Sequence, residues 1–154
     1  MAEIPRGGGS TVRLISVYGC KDAPALLYEL LAQRKPSESI SHKAMPTMEE
    51  HIRFIESRPY GAWYLAEAVT DLVDDVALVT ENVGAVYITR AGEIGVGILD
   101  RFKGFGYAKS AITELMRLHP GRHLANINPA NEASIALFRS LGFGGPIQIT
   151  LEKA

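Results

Sequence analysis

The 154-residue chain predicts a single α/β domain: a twisted, mixed sheet of about six or seven strands with helices on both faces. Three observations carry that prediction. Hydrophobic residues at 47% and charged residues at 21% are the values of one globular unit, long enough to bury roughly two thirds of its unfolded surface. Apolar residues alternate at period two in several short runs and recur at i, i+3, i+4 in others, so strand and helix patterns interleave along the chain. Between Glu93 and Ala108 the two periods meet across a pair of glycines.

Residues 1–10, with Pro5 and Gly7-Gly8-Gly9, read as a flexible leader without the apolar core of a signal peptide, and residues 11–154 as the domain. Val12, Leu14 and Val17 alternate and predict a first strand over 11–18. Asp22 is placed to cap a helix whose Leu26, Leu27, Leu30 and Leu31 share a face before Lys35-Pro36 stops it. Residues 37–45 have no period and read as a loop. Thr47 with Glu50 spells a capping box, opening a helix with Met48, Ile52 and Ile55 on one face as far as Arg58-Pro59. Residues 63–69, rich in aromatic and branched side chains, predict a central strand.

Asp71, Asp74 and Asp75 lack the spacing of a calcium loop, so they read as a solvated hairpin turn and no metal site is predicted. Strands follow over 76–79 and 83–89, with Arg90-Ala91-Gly92 turning into the next. Beyond the central helix, His119-Pro120-Gly121 is a stop, 122–128 a strand, and the alternation of Ile147, Ile149 and Leu151 a half-buried final strand.

The central stretch reads E-I-G-V-G-I-L-D-R-F-K-G-F-G-Y-A. Ile94, Val96 and Ile98 mark a strand; Ala108, Ala111, Ile112, Leu115 and Met116 mark one face of a helix; Gly104 and Gly106 lie between. A glycine loop feeding a helix N-terminus presents unpaired N–H groups that suit an anion, so 103–108 read as a pyrophosphate cradle; the alternative is a tight turn that only joins strand to helix. A Walker A loop is excluded because Ala108 stands where a glycine must precede Lys109-Ser110. A dinucleotide fingerprint is disfavoured because Lys109 occupies its third glycine position.

What fits is R-x-x-G-x-G, as Arg101, Gly104 and Gly106, followed downstream by Asn128-Pro129-Ala130-Asn131-Glu132-Ala133-Ser134-Ile135-Ala136-Leu137-Phe138-Arg139-Ser140-Leu141-Gly142-Phe143. Asn131 is a favoured N-cap, and Gly142 a favoured helix terminator. The two motifs in this order resemble the coenzyme A loop and following helix of the GNAT superfamily of N-acetyltransferases, over roughly residues 63–153.

That resemblance implies acetyl-CoA as co-substrate and a primary amine as acceptor, attacked directly in a ternary complex. It implies coenzyme contacts at Ile98, Leu99, Arg101, Lys103, Gly104, Phe105, Gly106, Tyr107, Ala108, Asn131, Ser134 and Phe138, with Lys109 and Arg139 toward the 3′-phosphate. Strand 122–128 would splay from the coenzyme strand to admit pantetheine. Glu93, on the same strand face as Gly95, Gly97 and Leu99, is the implied general base acting through water; the other reading is a surface carboxylate beside a turn, and Glu67 is the reserve. Many family members carry a tyrosine where this chain has Phe138, which has no proton to give the departing thiolate. Either another donor takes the role, Tyr107 first, then Tyr87, Tyr64 or water, or the thiolate leaves without a general acid. His42, Met45, His51 and Arg53 are acceptor-side candidates, against a solvated or locally bonded role for each histidine.

The segment 63–107 looks most like members that acetylate nucleotide-linked amino sugars or related small metabolites; a protein amine, or a coenzyme A binding module without turnover, are the alternatives. A net charge of −1 disfavours a nucleic-acid partner, and no apolar run is long enough for a membrane span. Cys20, the one cysteine, agrees with a reducing, cytoplasmic setting. The final strand and the hairpin over 71–79 are edges on which a homodimer would form.

Overall fold

The computed structural model describes residues 12–35, 44–73 and 77–154. The expected leader, most of the loop over 37–45 with His42, and the tip of the acidic hairpin lie outside the described residues. Four strands, β1 (Val12–Ser16), β2 (Ala62–Val73), β3 (Ala77–Ile88) and β4 (Ile94–Ile98), form an antiparallel sheet in chain order. The two short strands expected over 76–79 and 83–89 are one strand, because β2 and β3 pair as a long hairpin from Ala62↔Ile88 to Val73↔Ala77.

The sheet is smaller than its sequence pattern implies. Residues 122–128 make one parallel bridge, Glu93↔Leu124, in which Ile94 N–H donates to the Leu124 carbonyl at 2.8 Å and Leu124 N–H to Gly92 at 2.9 Å. Beyond it the segment leaves the sheet. The final alternation forms no strand: Ile147, Ile149 and Leu151 are 71%, 74% and 90% exposed. Period-two hydrophobicity makes a strand only where an edge receives it, and here none of the described residues does.

Helices cover both faces. α3 (Tyr107–Leu118) lies across all four strands and buries Tyr107, Ala111, Ile112 and Leu115 against Ala66, Ala68, Val86 and Ile94. α4 (Glu132–Ser140) adds Phe138 to the same core, its start capped by Asn131 Oδ1 accepting from Ser134 N–H at 3.1 Å. It ends as expected at Gly142, whose φ of +91° lets Phe143 N–H reach back to the Phe138 carbonyl at 3.1 Å. On the other face α1 (Ala23–Gln33) and α2 (Met48–Glu56) pack Leu27 and Ile55 against Trp63, Leu65 and Ala85. Each fully buried leucine or isoleucine of these two cores contributes about 1.5–3 kcal/mol by area.

Two helix details differ from the sequence pattern. Asp22 holds the N-cap position of α1, but its side chain makes no cap bond. The Thr47–Glu50 box forms in both directions, yet α2 turns His51 and Ile55 inward and leaves Met48 and Ile52 exposed. His51 is 2% exposed, its Nε2 3.2 Å from the Pro24 carbonyl and its ring edge-on to Tyr28, so it is a packing residue of the α1–α2 contact and is not open to an acceptor.

Burial holds the His51 imidazole below its ordinary value of 6.5. The unfolded chain therefore takes up the proton first. Stability contributed by neutral His51 is complete above about pH 6.5 and is lost as pH falls below it. Urea midpoints measured at neutral pH and at about pH 5 should drop further for the native chain than for His51→Gln. An equal drop in both would remove His51 as the cause.

Candidate active site

The site is built along β4. Antiparallel pairing alternates the backbone groups of a strand between its two edges. Leu99 N–H donates to Val83 at 2.9 Å and the Glu93 carbonyl accepts from Thr89 at 2.9 Å, so odd-numbered residues face β3. Ile94, Val96 and Ile98 face the other edge; Leu124 takes the first, and Val96 and Ile98 look into the gap where 125–128 diverge. This corrects the expectation for Leu99, whose amide belongs to the sheet. The Ile98 amide lies on the open edge, as does that of Val96, which the motif did not single out. Strand parity alone could not find Val96, because parity does not say on which side the partner strand lies.

The far end of β4 runs into the glycine loop. A 3-10 turn at Asp100–Phe102 leads to Gly104, φ +87°, and Gly106, φ +81°. A Cβ at either glycine would meet no atom within 4 Å, so the loop backbone is open on that side. Gly106 is the N-cap of α3 and no side chain caps the helix, whose first turn is carried by buried Tyr107 and half-buried Ala108. An uncapped helix start beside open left-handed glycines fits a phosphate, the group a coenzyme A molecule would bring there.

The cations of the loop brace it. Arg101 Nη1 contacts Glu29 Oε1 of α1 at 2.7 Å, and Lys103 Nζ contacts Asp100 Oδ1 at 2.8 Å. The Lys103 hydrogen bond holds the Asp100 carboxyl below the usual carboxylate range. Asp100 N–H donates to Gln33 Oε1 at 2.8 Å, so α1 grips the loop at two points. Phe105 is 58% exposed at the tip and stacks on Tyr107. Lys109 and Arg139 are exposed; Ser134 is half-buried; Phe138 is buried edge-on to Phe143.

At the near end, Glu93 N–H donates to Thr89 Oγ1 at 3.0 Å, and its half-buried carboxylate lies 3.5 Å from the same hydroxyl. On the same face Gly95 lies under Tyr87: an added Cβ would come within 2.1 Å of the ring and 2.4 Å of the phenol oxygen. Tyr60 stacks on Tyr87 at 3.8 Å with rings 5° from parallel. Burial, reinforced by the neighbouring Tyr87, pushes the Tyr60 phenol well up, so it stays protonated.

The five residues of β4 span about 16 Å. Tyr107 lies at the loop end, its ring buried beside Phe102 and Phe105, a strand's length from Glu93. It packs as a core residue. Tyr64 is bonded to His119 Nε2 at 2.7 Å, and the reserve Glu67 is paired with Arg13 at 2.8 Å on the β1–β2 side. Of the tyrosines considered, Tyr87 alone covers the coenzyme strand. Met45 and Arg53 are exposed, and among the described residues no cluster of ligating side chains could hold a metal. Among the described residues no helix is long and apolar enough to cross a membrane.

Comparison with known proteins agrees with this architecture. A domain from Methanocaldococcus jannaschii superposes with a TM-score of 0.70 at 20% identity, covering 88% of this chain and 89% of that one. The yncA protein of Salmonella typhimurium, solved with its cofactor acetyl-CoA, gives 0.57 at 15% identity over 88% and 80% of the two chains. A phosphinothricin acetyltransferase of Sinorhizobium meliloti in complex with acetyl-CoA gives 0.56 at 20% identity over 88% and 75%. No curated protein matches the chain significantly. The acetyltransferase (GNAT) domain model matches residues 14–144 of the 154. The chain therefore belongs to the GNAT acetyltransferases and works with acetyl-CoA as co-substrate.

Proposed function

We propose that the chain acetylates the primary amine of a small metabolite by direct attack in a ternary complex, a nucleotide-linked amino sugar being one acceptor of the right kind. The observation that carries this reading is the placement of Glu93 and Tyr87 at one end of an edge strand whose other end enters the glycine loop. Acetyl-CoA supplies an activated thioester. Gly104, Gly106 and the start of α3 hold its phosphates, and the open-edge amides of Val96 and Ile98 bind the arm that runs along β4.

Glu93, relaying through water, takes the proton that the acceptor ammonium must lose before its lone pair can attack. Tyr87 donates its phenolic proton to the departing thiolate in the role that Phe138 cannot fill. The protonated Tyr60 beside it holds the hydroxyl in place. The net exchange is an amide for a thioester, with one proton released to solvent. A cytoplasmic setting suits the lone free thiol of Cys20.

Free-thiol release from acetyl-CoA against a panel of amines tests the assignment. Tyr87→Phe should lower kcat about 10–100-fold and Glu93→Gln about 100-fold or more, each with the KM for acetyl-CoA within threefold of native. Native kcat in both variants would remove both residues from the mechanism.

A further inference from the structure

The glycine loop and β4 account for the coenzyme but leave a second feature unused. A cavity of about 250 Å³ opens at the end of the sheet away from the loop, lined by Ser16, Tyr18, Arg58, Tyr60, Trp63 and Arg90 among others. We propose that this cavity is the acceptor's anion site, so that the amine acetylated belongs to a molecule that also carries a carboxylate or phosphate, gripped by Arg58 and Arg90. The proposal rests on the acetyltransferase reading and names the class of its acceptor.

Three observations support it. First, the cavity is cationic: two arginines line it, no acidic residue does, and neither arginine has a carboxylate partner among the described residues. Two arginines gathered at one opening repel each other, and an anion between them relieves that repulsion.

Second, both arginines are held. The Arg58 guanidinium lies 4.0 Å from the centroid of the Tyr18 ring, and Tyr18 is itself pinned by its hydroxyl, which donates to the Ile55 carbonyl at 3.0 Å. A guanidinium stacked on a ring keeps its in-plane N–H groups for an anion. Arg90 Nη2 donates to the Arg58 carbonyl at 3.3 Å, which ties the β3–β4 turn to the end of α2. Arg58 has φ +50°, the sole non-glycine residue with positive φ among those described; a bulky residue adopts that backbone only where its surroundings impose it.

Third, the cavity is connected to the reaction. Tyr60 lines it and stacks on Tyr87, and Tyr87 covers Gly95 on the coenzyme strand. A molecule anchored at Arg58 and Arg90 presents its amine past Tyr60 toward Glu93 and Tyr87. The volume suits a small metabolite's charged end.

Matched pairs test the site: L-amino acids against their carboxamides, and hexosamine phosphates against free hexosamines, scored by thiol release in native, Arg58→Gln and Arg90→Gln proteins of unchanged melting temperature. The first pair reads a carboxylate and the second a phosphate. An anionic member should be preferred, and each substitution should lower its kcat/KM about 10–100-fold while leaving the neutral partner and the KM for acetyl-CoA within threefold. Equal use of neutral amines, or a preference untouched in both variants, overturns the anion site and leaves the acetyltransferase reading standing.

Should no amine be acetylated, titration of inorganic phosphate and of acetate into the native chain saturated with coenzyme A decides separately. Binding that disappears in Arg58→Gln and Arg90→Gln upholds the anion site and overturns the small-amine reading. No binding to the native chain overturns the anion site.

Discussion

Gly104→Glu should raise the dissociation constant for acetyl-CoA at least 100-fold while lowering the melting temperature by only a few degrees. The two effects separate because of where the Cβ goes. At φ +87° any L residue is strained by about 1–2 kcal/mol, yet the added side chain enters open space and strikes no atom of the protein. That open space is the approach to the backbone amides at the head of α3, and a carboxylate placed there both fills it and repels phosphate. Gly106→Ala, φ +81°, should weaken binding less, by steric exclusion without the charge. Isothermal titration with acetyl-CoA and with desulfo-coenzyme A reads this directly. Native affinity in Gly104→Glu would mean that the loop is a turn and nothing more.

The largest stability loss should come from Gly84→Ala. Gly84 pairs with Ile98 of β4, and a Cβ there would lie 2.1 Å from the Gly97 carbonyl oxygen, which is backbone and cannot step aside. Only a shift of β4 relieves the clash, at a cost of roughly 3 kcal/mol or more, against a total stability for such a domain of about 5–15 kcal/mol. The melting temperature should fall by about 6–12 °C. Gly95→Ala makes an informative comparison: its Cβ also reaches 2.1 Å, but against the Tyr87 ring, which can swing away. The fold should then survive with activity reduced as in Tyr87→Phe. Equal melting temperatures for native and Gly84→Ala chains would contradict the close approach of the two strands.

Much of this molecule was legible in its residues because the signals are local. The capping box at Thr47, the cap at Asn131, the left-handed Gly142 and the period change across Gly104 and Gly106 each depend on neighbours within a few positions, and each formed where its pattern stands. The alternation of Glu93, Gly95 and Gly97 against Ile94, Val96 and Ile98 likewise separated the two faces of β4, and Ile94, Val96 and Ile98 pack in the core with α3. Family membership followed from two such local motifs in the right order, and the domain match over 14–144 agrees.

What the chain's order could not decide depends on which elements meet. Whether Ile147, Ile149 and Leu151 form a strand depends on an edge being present, and they are exposed. Whether Met48 or His51 turns inward on α2 depends on where α1 lies, because a nine-residue helix with a mixed pattern has more than one usable face. That Tyr87 lies over Gly95 of β4, Tyr64 bonds His119 and Tyr107 packs at the loop end is likewise a matter of which elements meet. The meeting of Arg58 with Arg90, 32 positions apart, is a product of the sheet bringing the end of α2 to the β3–β4 turn. Local sequence thus determined the helices, the first four strands in outline, the glycine loop and the family. Tertiary structure alone decided which backbone amides stay open, which tyrosine covers the strand and where positive charge gathers, because each of these is set by contacts between residues that the chain itself keeps far apart.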